Sequence, residues 1–119
     1  MDRVNWYLSY ELVAFELDPP GEQEELEVWE NHVLISAATV EEAYEKAIRH
    51  GQGEEEPVKI DEKPGRARFL GLKNLVKIYD ELEDGAEIEW RKYCVSKEAL
   101  DSLTQPKEKF HAFNPSPYE

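Results

Sequence analysis

The chain predicts an α+β fold: a mainly antiparallel sheet of four to five strands with one principal helix on one face. Three observations carry that expectation. Long stretches alternate apolar and polar residues with the two-residue period of strands, one stretch has the spacing of an amphipathic helix, and Asp-Gly and Pro-Pro-Gly turns separate them. At 119 residues with 40% hydrophobic side chains the chain can bury a core as one domain without staples.

The central expectation is a hairpin over residues 66–97, joined at Asp84-Gly85, because a two-residue type I′ turn needs positive φ at both central positions. Its first strand uses Phe69, Leu70, Leu72, Leu75, Val76, Ile78, Tyr79 and Leu82, and Gly71 within that run marks a bulge or a close backbone approach. Its second strand places Ile88, Trp90 and Cys94 on the core side. A calcium loop over the same residues fails, since Leu82 and Arg91 fall where oxygen ligands are required.

Asn5 to Leu17 reads as a strand with apolar residues on both faces, which suits a central position or one at an oligomer contact. Asp18-Pro19-Pro20-Gly21 turns the chain into a second strand over Glu25 to Ala38, whose phase changes at Glu30-Asn31-His32 and so predicts a bulge or a break there. Thr39 to His50 is the clearest helix. Thr39 caps it, Glu42 completes a capping box, Gly51 ends it, and Val40, Ala43, Tyr44, Ala47 and Ile48 form its apolar stripe. Val58-Lys59-Ile60 is an expected short edge strand, Lys63-Pro64-Gly65 a turn, and Lys97 to Leu103 a short helix with Ala99, Leu100 and Leu103 inward. Residues 1–103 form the expected domain. The remaining 104–119, with three prolines and with Phe110, Phe113 and Tyr118, form an extended tail that lies on its own sheet or reaches another chain.

The ordered combination of Trp6-Tyr7, Thr39-Val40-Glu41-Glu42-Ala43, Phe69-Leu70-Gly71-Leu72 and Tyr79-Asp80-Glu81-Leu82 followed by Asp84-Gly85 and Glu87-Ile88 resembles a family of small bacterial proteins known only as a domain of unknown function, DUF4288. The likeness spans about residues 5–95. It implies a compact α+β domain and a bacterial origin, and it brings no catalytic residues with it.

Charge is the most unusual global property: 27 acidic against 14 basic residues give a net −13. Residues 1–57 hold 15 acids and 3 bases (net −12), and residues 58–119 hold 12 and 11 (net −1). Such a field repels nucleic acid and anionic membranes, so neither is an expected partner, whereas a basic protein is. One cysteine, the lack of a long apolar run and the lack of a signal pattern predict a soluble cytoplasmic protein.

No histidine or cysteine spacing of a metal site is present, and no cofactor is expected. His32, His50 and His111 read as structural or surface residues, and Cys94 as a small buried hydrophobe. Trp6 and Trp90 read as core and Trp29 as the tryptophan most open to a partner. The expected interaction residues are therefore Glu24, Glu25, Glu27, Trp29, Glu54, Glu55, Glu56, Phe110 and Phe113. The leading expectation is a non-enzymatic module that binds a basic protein, an immunity or inhibitor role being one form of it. The alternative is a ligand-binding or catalytic pocket between helix and sheet, with carboxylates near Asp84. A third reading makes the acidity a matter of solubility in a subunit of an assembly. A homodimer is expected because one helix covers only one of two apolar sheet faces.

Overall fold

The computed structural model describes residues 3–21, 23 and 25–115. Four strands and one α-helix make its framework: β1 (Asn5–Leu17), β2 (Glu27–Ala37), α1 (Val40–Gly53), β3 (Glu56–Ile60) and β4 (Lys63–Ile78). The sheet is antiparallel with order β2-β1-β4-β3, so the first strand is central, as its two apolar faces predict.

Pairing of β1 with β2 is unbroken from Asn5↔Ala37 to Phe15↔Glu27. The expected bulge or break at Glu30-Asn31-His32 is absent, and His32 lies inside a regular strand with its ring stacked on Tyr10 at 4.2 Å. The phase change reflects which side chains find cover: Glu30 points outward with His32 and Lys73 around its carboxylate. Irregularity falls on β4 instead, where the register against β1 slips between Tyr10 and Glu11 and again between Leu12 and Val13. The slips flank Gly71, whose φ of 130° is open to glycine and strained for other residues. The bulge expected at Gly71 is thus present.

Thr39 caps α1 by accepting a hydrogen bond from the Glu42 amide at 3.2 Å, while the Glu42 carboxylate reaches back to the amide of Ala38. The helix continues past the expected stop at Gly51 to Gly53. Gly51 serves packing rather than capping, since a Cβ there would overlap the Phe69 ring. Ala43 and Ala47 are fully buried against Tyr7, Ile35 and Ala37. Val40 and Tyr44, expected in the same stripe, are half exposed, and the buried centre of the helix face is made by Ala43 and Ala47.

β3 joins β4 through Asp61-Glu62, both with positive φ (49° and 66°), which is the two-residue hairpin turn that was expected at Asp84-Gly85. Lys63-Pro64-Gly65 accordingly lies within β4, not in a turn.

The second half of the expected central hairpin does not form. Residues 79–96 contain no strand; Gly85 alone takes a positive φ (89°), Ala86 donates to the Glu83 carbonyl at 2.9 Å, and the Glu87 amide donates to the Asp80 carboxylate at 3.0 Å. A hairpin turning at 84–85 would set Asp80 opposite Glu89, and like charges in that position oppose pairing. β4 pairs with the five-residue β3 only as far as Ala67. Trp90 (72% exposed) and Cys94 lie in solvent rather than in the core, and Trp6 is 39% exposed. Lys97–Leu103 is a 3-10 segment instead of an α-helix, with Leu100 and Leu103 half exposed. Two further 3-10 turns, Lys107–Lys109 and His111–Phe113, pack on each other, apart from the strands and α1 among the described residues. The radius of gyration is 18.3 Å, against about 13–14 Å for a compact chain of this length.

Candidate functional site: an acidic aromatic groove

In β1 the residues Tyr7, Ser9, Glu11, Val13 and Phe15 point to the helix-bearing side of the sheet. The helix covers the first four of these rows: Tyr7 lies beneath Ala43 and Ala47, Glu11 meets His50, and Phe69, the partner of Val13, meets Gly51. There α1 ends, and the Phe15 row is left open.

That open row is the floor of a groove of about 650 Å³. Its walls are Glu25, Glu27 and Trp29 on one side and Val58, Lys59, Ile60 and Asp61 on the other. In a flat sheet β2 and β3 would stand roughly 14 Å apart, three strand spacings, so both reach one groove only because the sheet curls towards the helix side. The Trp29 indole meets the Phe15 ring edge to face with centroids 5.0 Å apart, and its N–H donates to the Glu27 carboxylate at 2.7 Å. The two bonds fix the ring while leaving it 52% exposed. Gln23 braces the rim by accepting the Leu17 amide at 3.0 Å. The groove thus combines two aromatic rings and two aliphatic side chains with three carboxylates and one ammonium group.

Of the residues expected from sequence, Glu25, Glu27 and Trp29 come together here. Glu54, Glu55 and Glu56 do not line the groove. Glu54 lies 3.6 Å from His50, Glu55 holds the Phe69 amide at 3.1 Å, and Glu56 opens β3 opposite Ala67. Phe113 lies in the second of the C-terminal 3-10 turns and Phe110 between the two, away from the sheet. Glu24 and Tyr118 lie outside the described residues.

A second polar cluster escaped the sequence reading. Glu11, 1% exposed, accepts the Ser9 hydroxyl at 3.0 Å and contacts His50 Nδ1 at 2.8 Å. Its signal was available: two polar residues on an otherwise apolar strand face, facing a helix that ends in histidine. Serine, carboxylate and imidazole together suggest a hydrolase, but the geometry is not one. Ser9 is fully buried and bonds to the carboxylate instead of the imidazole, so no nucleophile–base pair forms. The cluster's work is to satisfy a buried carboxylate. Near Asp84, where a catalytic alternative would need paired carboxylates, Asp80 is taken up by the Glu87 amide. Among the described residues no group of three or more His, Cys, Asp or Glu side chains could hold a metal ion, and no helix is long and apolar enough to cross a membrane.

Fold and site define a small α+β domain: a curled four-stranded antiparallel sheet with one helix laid across half of its inner face. Residues 6–90 match the family model described as a domain of unknown function (DUF4288), and the chain belongs to that family. The match takes in the whole sheet from Trp6 onward, the helix and every groove-lining residue. No curated protein and no solved structure matches the chain.

Proposed function

We propose that the protein is a non-enzymatic recognition module whose groove takes a basic, partly apolar segment of a protein partner. One observation carries this reading: Trp29, half exposed and fixed by Phe15 and Glu27, stands among Glu25, Glu27 and Asp61 in an open groove. A lysine or arginine laid over a tryptophan face gains cation–π attraction, and adjacent carboxylates add charge-assisted hydrogen bonds. Valine and isoleucine on the β3 wall supply apolar contact for a neighbouring side chain. An immunity or inhibitor protein acting on a basic target would use such a surface, and the strongly acidic first half of the chain would speed its encounter.

The test is titration of the full chain with a synthetic peptide of alternating lysine and phenylalanine, measured by isothermal titration calorimetry. Binding should weaken with salt and fall by about tenfold or more in Glu25→Lys/Glu27→Lys and in Trp29→Ala, the loss of one good charged or aromatic anchor. Equal binding by wild type and both variants, or none by wild type, would remove the groove from consideration.

A further inference from the structure

We infer that the groove receives the segment 106–113 of a second copy of this chain, so that two copies exchange tails. The inference rests on the groove reading above and names its occupant.

Pro106 to Phe113 reads PKEKFHAF, and it combines the two chemistries the groove would select. Lys107 and Lys109 supply positive charge; Phe110 and Phe113, 42% and 59% exposed, supply apolar rings. Residues 106–113 hold two lysines and one glutamate, a local net of +1 in a chain of net −13. The groove walls hold three acids and one base. Charge complementarity is therefore built into the two ends of one sequence.

The segment is also shaped in advance. Its two 3-10 turns are laced by Asn114, whose amide donates to the carbonyls of Glu108 (2.6 Å) and Phe110 (3.1 Å), and Lys107 Nζ sits 5.8 Å from the centre of the Phe113 ring. Order held before binding lowers the entropy lost on docking. Among the described residues the turns pack chiefly on each other, apart from the strands and α1. The stretch that carries them, residues 79–105, is long enough to span a subunit boundary. Exchange of identical tails between identical grooves closes into a twofold dimer and leaves neither groove empty.

Sedimentation velocity on the full chain, from low to high micromolar concentration, tests this. Wild type should pass from monomer to dimer, and Lys107→Glu/Lys109→Glu should shift the midpoint upward by about tenfold or more, the effect of losing one strong charged anchor. Glu25→Lys/Glu27→Lys should do the same. Mixing the two charge-reversed chains should restore dimer, because each then offers the charge the other lacks. Failure of the mixture to associate overturns the inference, as does a wild type that stays monomeric throughout or a dimer indifferent to both variants. The lysine–phenylalanine peptide separates this failure from that of the groove reading. If the peptide binds while wild type stays monomeric, the groove stands and its tail occupant does not; if neither association occurs, both fall.

Discussion

Residues 5–17 and residues 79–95 look alike as sequence and differ in everything the fold makes of them. Each alternates large apolar with polar side chains, and each carries a Trp and a Tyr. The first became the central strand, with Tyr7, Leu8, Tyr10, Val13 and Ala14 buried across both faces. The second has no strand, and Tyr79, Trp90 and Tyr93 are 85%, 72% and 65% exposed. Alternation states which face could be buried; it does not supply a partner. β1 has neighbours on both edges and a helix above it, whereas the 79–95 stretch opens with Asp80, Glu81, Glu83 and Asp84, charges that oppose the hairpin that would have paired it with β4.

The comparison breaks most visibly under truncation of one aromatic in each region. Tyr7→Ala should lower the unfolding free energy by about 4 kcal/mol, the loss expected for a buried aromatic beneath a helix. Trp90→Ala should change it by less than about 0.5 kcal/mol, as for exposed positions. Urea unfolding of both variants measures the pair. A large loss for Trp90→Ala would mean that the 79–95 stretch is buried in solution, against its own sheet or against another chain.

What could be read in advance follows the same division. The helix was legible because its signals are local: Thr39, Glu42 and the Ala43/Ala47 spacing act within one or two turns of chain. β1 and the bulge at Gly71 were legible because face and period are properties of the strand itself. The type I′ turn was misplaced because Asp84-Gly85 has the better local chemistry, yet Asp61-Glu62 is the pair forced into positive φ when Val58–Ile60 returns along β4. Half of the groove, Glu25, Glu27 and Trp29, was legible as acidity beside an open tryptophan. Its other wall was not, since nothing short of the curled sheet brings Val58 and Ile60 across from β2.

Glu11 sharpens the contrast from the polar side. It is the one carboxylate held inside the first region, and replacing it by leucine would strand the Ser9 hydroxyl and turn His50 towards an apolar surface. A loss of about 3 kcal/mol is expected, with Glu11→Gln costing less because its amide oxygen can still accept from Ser9. Circular dichroism melts of the two variants give the order. If Leu is tolerated as well as Gln, the polar cluster is not a structural requirement of the helix–sheet contact.

Gly51 tests how closely α1 must approach. Gly51→Ala places a methyl group where the Phe69 ring lies, and relief requires the ring or the last helical turn to move. Overpacking of this kind costs about 1–3 kcal/mol. Because the same turn of helix marks where the groove begins, the variant should also disturb Trp29 emission if the two are mechanically continuous, whereas Gly53→Ala, which meets no neighbouring atom, should leave both stability and emission close to wild type.

The smallest expected effect belongs to the face of the sheet away from the helix, where Glu30 stands between Lys73 and His32. The Lys73 ammonium at 2.9 Å, and after it the His32 ring at 2.7 Å, hold the Glu30 carboxyl below its ordinary value. A carboxyl whose folded-state pKa is depressed binds its proton more readily in the unfolded chain, so it contributes stability above the unfolded value and loses it as pH falls through the folded one. Glu30→Gln should therefore be slightly less stable than wild type at neutral pH and converge with it in acid, below the ordinary glutamate range. Parallel denaturant unfolding of the two proteins along a descending pH series reads the convergence. A constant gap across that series would show that Glu30 acts through packing on its strand and not through its charge. The link from β2 across to β4 would then rest on how the strands pack and not on the Glu30–Lys73 charge pair.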